Sequence, residues 1–171
     1  MRVADYIMDA AVAHGIRHVF SVPGGFSMYM GESAAHHPDI EVIYCGHEQA
    51  AAIAAQGYCY AAGRPAMVLV TAGPGLTNTI TGVANAFLDG VPMLILSGQM
   101  KTDDLGLTGF PRFAPLLPTV ELVRPITCYA ALVDRPGIAR HYMTEALEMM
   151  ERGPVVLDIP LDIQAAELAA D

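Results

Sequence analysis

AMVLVTAGPGLTNTITGVANAFLDGVPMLILSGQ, residues 66–99, decides the fold. The segments 66–71 and 92–97 are short and apolar at nearly every position, which reads as strands covered on both faces. Between them 75–88 carries its apolar residues at helical spacing, and Asp89-Gly90 ends the pattern. Strand, helix and strand in this order imply a parallel sheet packed between helices.

The alternation continues in both directions. Towards the amino end a helix is predicted over 47–62, alanine-rich and closed by Gly63, preceded by a strand at 41–44 and a helix at 26–35. A buried strand at 18–22 runs into the tight turn Pro23-Gly24-Gly25. A covering helix over 3–14 places Val3, Ile7, Ala10 and Ala11 on one side. Towards the carboxyl end, Gly106, Gly109, Pro111, Pro115 and Pro118 forbid long regular structure between 98 and 118, as in a functional loop or a cover over a site. Beyond it come a short helix at 119–123, a connector at 127–129, a helix over 136–152 and a buried strand at 155–159. Residues 161–171 read as the start of a linker or a C-terminal tail. The expectation is a single α/β domain over 1–171, an open parallel sheet of about six strands with helices on both faces in a flavodoxin-like three-layer arrangement.

Composition narrows the partners. Apolar residues make up 53% of the chain and charged ones 16%, too little charge to cover the surface, so part of the outside is expected to be buried against another chain. A formal charge of -9 disfavours nucleic acid and anionic membrane surfaces. Asp5 and Asp9 stand where a signal or transit peptide would be basic, and no apolar run approaches a membrane span. Cys45, Cys59 and Cys128 form no CxxC pair and the histidines no ligand pattern, so neither a disulfide framework nor a metal site is expected, and a reducing cytoplasm fits.

In open parallel sheets ligands bind beyond the carboxyl ends of the strands. That rim collects Pro23, Gly24 and Gly25 after the first strand, Glu48 after the second, Thr71 to Asn78 after the third, and Gly98 and Gln99 after the fourth. Glu48 has two readings: a surface acid offsetting the helix dipole, or an acid in an apolar cleft whose pKa burial raises into a useful range. The turn AGPGLTN also has two, a phosphate cradle or a purely structural bend, and it lacks both GxGxxG spacing and a Walker lysine.

Taken together, VPGG (22–25), HEQAA (47–51), TAGPGLTN (71–78), GVPMLILSGQ (90–99) and GPVVLDIPLDIQ (153–164) resemble the pyrimidine-binding domain of thiamine diphosphate-dependent enzymes, in the group of acetolactate synthase and the 2-oxo-acid decarboxylases. The resemblance implies the thiamine diphosphate-binding fold. It also gives Glu48 the catalytic place, hydrogen-bonding the aminopyrimidine so that the cofactor's own exocyclic nitrogen serves as base. Pro23, Gly24, Gly25, Thr71, Gly73, Pro74, Asn78 and Gln99 would form the pyrimidine wall.

The same resemblance locates what is missing. The family holds the diphosphate and its magnesium on a second domain, through a GDG motif followed by an asparagine pair, and neither occurs here. It therefore implies a partner subunit carrying that domain, in a heterotetramer or larger, with a small 2-oxo acid as substrate for decarboxylation or acyloin-type carboligation. Acetolactate synthases carry Phe-Gln-Glu where spacing gives Phe110-Pro111-Arg112, and a lysine where Cys128 stands. Phe110 and Arg112 become substrate candidates, Arg112 as a carboxylate binder or a surface residue. A non-catalytic assembly module, a domain of a longer acetolactate synthase-like enzyme and a flavodoxin-like phosphate binder are the alternatives.

Overall fold

The two apolar runs of the deciding stretch lie next to each other and parallel in the computed structural model, which describes residues 1–105 and 117–168. They are β3 (Ala66–Val70) and β4 (Met93–Gln99). With β1 (His18–Ser21), β2 (Glu41–Tyr44), β5 (Tyr129–Leu132) and β6 (Val155–Pro160) they form one six-stranded sheet, order β2-β1-β3-β4-β6-β5, parallel throughout. Every residue of β3, β4 and β6 is buried, as their largely apolar sequences require, with Ser97, Gln99 and Asp158 the polar exceptions.

Helices cover both faces. On one side α1 (Val3–Ala13), α2 (Met28–His36) and α7 (Ala139–Met150) bury Ile7, Met8, Met30 and Met143 against Leu94, Leu96 and Leu157. On the other, α3 (Glu48–Ala62) and α5 (Ile80–Asp89) bury Ala51, Ala52, Ala55 and Val83 against Val68, Ile95 and Val156. The small residues of α3 permit a close crossing with α5: a Cβ added at Gly82 would stand 2.6 Å from that of Ala52. His47 caps α3 by accepting from the Gln49 amide, and Gly63 ends it at φ 62°.

Three expectations need correction. The connector expected at 127–129 ends at 128, and Tyr129 begins β5, a half-buried edge strand that was not expected because its alanines carry little strand signal. The helix expected over 75–88 breaks into α4 (Pro74–Thr77) and α5, and the Thr79 hydroxyl donates to the Leu76 carbonyl at the break, 2.7 Å away. The helix expected over 136–152 opens with a 3₁₀ turn, Pro136–Ile138. Residues 161–168 form α8 (Leu161–Ala165) and then pair Glu167 with Arg2 across from α1. Short helix α6 (Thr119–Val123) stands where expected. Among the described residues no helix is long and apolar enough to cross a membrane.

Candidate active site at the carboxyl rim of the sheet

Parallel pairing brings the carboxyl ends of β1, β2, β3 and β4 to one edge, so the turns that follow them share a rim. Two of these turns are locked together by Thr71. A Cβ at Gly24 would overlap the Thr71 side chain, and one at Gly75 would stand 2.9 Å from its Cγ2. Only glycine lets both backbones approach a β-branched residue this closely. The Phe26 amide donates to Thr71 Oγ1 at 3.3 Å, completing the clamp. Gly73 takes φ 60° and ψ -114°, a conformation that side chains disfavour, and delivers Pro74 to the first position of α4.

Glu48 opens α3 beside this clamp. Its Oε2 accepts a hydrogen bond from Asn78 Nδ2 at 2.9 Å, while Oε1 has no partner among the described residues. Asn78 ends α4, so the short helix exists where an amide is needed opposite the start of α3. The carboxylate is half-buried: the dry cleft expected from the sequence is not enclosed by this chain's described residues. Pro23, Gly25 and Pro74 are exposed on the rim and Gly73 is buried. A cavity of about 400 Å³ lies against the first turn, lined by Ser21, Pro23, Gly24, Ser27, Met28 and Tyr44 among others.

Gln99 behaves differently from the other rim residues. It is 3% exposed, and both ends of its amide are engaged inside the chain, Nε2 donating to Asp158 Oδ2 and Oε1 accepting from the Met100 amide, each at 2.9 Å. Asp158, opposite Ser97 in the sheet, is fully buried and also accepts from the Thr119 hydroxyl. Burial pushes its carboxyl up to about 6, against the pull of the hydrogen bonds it receives. Its Oδ1 has no partner among the described residues.

Sequence reasoning passed over three residues of the DIPLDIQ run that tie separate segments to the end of β6. Asp158 joins the end of β4 to the start of α6. Asp162 accepts from the Thr102 amide and hydroxyl, at 3.0 and 2.5 Å. Gln164 donates to the Phe26 carbonyl at 2.7 Å. Polar residues recurring in and just after an otherwise apolar strand were the available signal.

Phe110 and Arg112 lie outside the described residues. Cys128 is placed, and its position changes its meaning. Its amide bonds the Pro154 carbonyl at the start of β6, so it lies at the amino end of the sheet, opposite the rim. A lysine or cysteine there does not line this chain's rim. Among the described residues no group of three His, Cys, Asp or Glu side chains is arranged to hold a metal.

Residues 1–116, which contain the Glu48–Asn78 pair and both glycine turns, match the family model described as thiamine pyrophosphate enzyme, N-terminal TPP binding domain. The chain belongs to the thiamine pyrophosphate enzymes. It is 36% identical over 169 residues to the acetolactate synthase isozyme 2 large subunit of Escherichia coli (strain K12), covering 97% of this chain and 30% of that protein. To the acetolactate synthase large subunit of Buchnera aphidicola subsp. Schizaphis graminum it is 34% identical over 163 residues, 94% of this chain and 28% of that one. The chloroplastic acetolactate synthase of Arabidopsis thaliana is 36% identical over 165 residues, 94% of this chain and 24% of its own. The chain thus spans 24 to 30% of the length of these relatives.

The rim has the features that a thiamine pyrophosphate enzyme's pyrimidine wall needs. Gly24 and Gly75 let the two turns close on Thr71 and so fix the backbone of the rim, and Glu48 keeps one carboxylate oxygen unpaired among the described residues. The residues present fit the aminopyrimidine end of the cofactor.

Proposed function

We propose that this chain binds the aminopyrimidine of thiamine diphosphate at the rim, as half of an enzyme acting on a 2-oxo acid. The observation that carries the reading is the Glu48–Asn78 hydrogen bond next to the two clamped glycine turns. Asn78 holds Oε2 and so aims Oε1 at a ring nitrogen, where a carboxylate favours the tautomer with a basic exocyclic nitrogen. Bound there, thiamine diphosphate supplies a carbon nucleophile and an electron sink for cleaving the bond beside a carbonyl. Pro23, Gly25 and Pro74 form the exposed wall around the ring, on turns whose shape Gly24, Gly73 and Gly75 set.

We assign the diphosphate and magnesium to a second subunit. An exposed apolar face supports a partner: Ile53 and Tyr60 on α3 and Phe87 and Leu88 on α5 are 45, 59, 37 and 81% exposed. Such a partner, lying along this face and extending to the start of α3, would complete the dry surroundings of Glu48. The acetolactate synthases among the relatives favour decarboxylation followed by carboligation.

The test is to co-express the chain with candidate subunits bearing the diphosphate motif and to follow 2-oxo acid consumption with thiamine diphosphate and magnesium. Turnover that needs both chains and the cofactor is expected. A chain that binds no thiamine diphosphate with any such subunit would point to an assembly module instead.

A further inference from the structure

We propose that Gln164 is a positioning residue for the first glycine turn, and through it for the cofactor's ring; the inference rests on the function proposed above. Its amide is fully buried, and Nε2 donates to the Phe26 carbonyl at 2.7 Å and to the Ile159 carbonyl at 2.8 Å. The orientation is forced, because turning the amide over would set its oxygen against two carbonyl oxygens. Oε1 is left buried with no partner among the described residues, an unfavourable arrangement for a residue that only fills space. A methionine would fill this space without an orphaned oxygen, but would leave both carbonyls without the donor.

The Phe26 peptide is the point at which three distant segments meet. Its amide is held by Thr71, and a Cβ at Gly98 would overlap its carbonyl, so β4 presses directly against it. Gln164 supplies the remaining grip from 138 residues away in sequence. Phe26 follows Gly24 and Gly25, so a shift of its carbonyl moves that turn first; the Gly73-to-Asn78 turn, tied to it through Thr71, has a further anchor in the Asn78–Glu48 bond.

The test uses the full chain labelled with ¹⁵N and titrated with thiamine, which needs no diphosphate site. In the unmutated chain thiamine is expected to shift the amide signals of Gly24, Gly25 and Phe26 together with those of Gly73, Gly75 and Asn78. Gln164→Glu replaces the donor by an acceptor of the same shape, and should weaken thiamine binding by roughly tenfold. At matched saturation it should reduce the shifts at Gly24 to Phe26 more than those at Gly73 to Asn78, a selective loss that a general fall in stability would not produce. Gln164→Met, which keeps the volume, should reproduce this pattern and decides the matter if the Glu variant does not fold. Unchanged affinity and unchanged shifts at both turns in a folded variant would overturn the role of Gln164 and leave the proposed function standing. Absence of thiamine-induced shifts at either turn in the unmutated chain would remove both.

Discussion

Asn78 donates to Glu48 across 2.9 Å, joining the end of α4 to the first residue of α3. The acid is therefore aimed by a neighbour and is more than a charge placed on a helix dipole. Asn78→Ala frees the carboxylate to rotate. Because both side chains are half-buried, the stability loss should stay near 0.5–1.5 kcal/mol, while thiamine affinity should fall several-fold. Calorimetric titration alongside chemical denaturation separates the two effects.

The clamp around Thr71 predicts a specific rescue. Gly75→Ala brings a methyl against Thr71 Cγ2 and should destabilise the fold by about 1–3 kcal/mol. Thr71→Ser removes Cγ2 but keeps the hydroxyl that accepts from Phe26, so the double variant should recover about 1 kcal/mol of that loss. Additive losses in a denaturation cycle would mean that the close approach of these two residues is not what restricts position 75.

Asp158 sets a pH dependence of definite sign. Burial raises its carboxyl to about 6 from an ordinary value of 3.8, so between these two values the folded chain binds more protons than the unfolded one. Its contribution is fully present below pH 3.8 and is lost as pH rises through 6. The carboxylate left ionised above that point opposes folding by on the order of 2–3 kcal/mol. Asp158→Asn keeps an oxygen for Gln99 and Thr119 without the charge. It should flatten this part of the profile and match or exceed the wild-type stability at pH 7. Urea titrations at pH 4.5 and 7.5 measure it, and an unchanged difference between the two pH values would contradict this account.

The partner face gives a prediction about assembly. Ile53→Lys with Leu88→Lys alters two exposed side chains and should change stability by no more than about 0.5 kcal/mol. Association with the diphosphate-domain subunit should be lost. Sedimentation of the co-expressed pair, with melting of each variant as control, tests both halves.

The fold was legible because β3, β4 and β6 are buried on both faces and write that burial as largely apolar runs. β5 was not, because an edge strand of Tyr129, Ala130, Ala131 and Leu132 needs only half of its surface covered. At the rim, the strand ends and glycine turns revealed which residues gather there, while the direction of each side chain depended on partners far away in sequence. Gln99 illustrates this: it lies at the end of β4 as expected, yet turns inward to Asp158, 59 residues later. The anchoring by Asp162 and Gln164 was hidden for the same reason. Nothing local to DIPLDIQ announces that Thr102 and Phe26 are its partners.

The most direct measurement is turnover of a 2-oxo acid by Glu48→Gln paired with the subunit that completes the site. Gln retains the shape and an oxygen for Asn78 but cannot offer the pyrimidine a carboxylate. A fall of at least about a hundredfold with an unchanged melting temperature is expected. Turnover close to that of the unmutated pair would contradict the role given to Glu48.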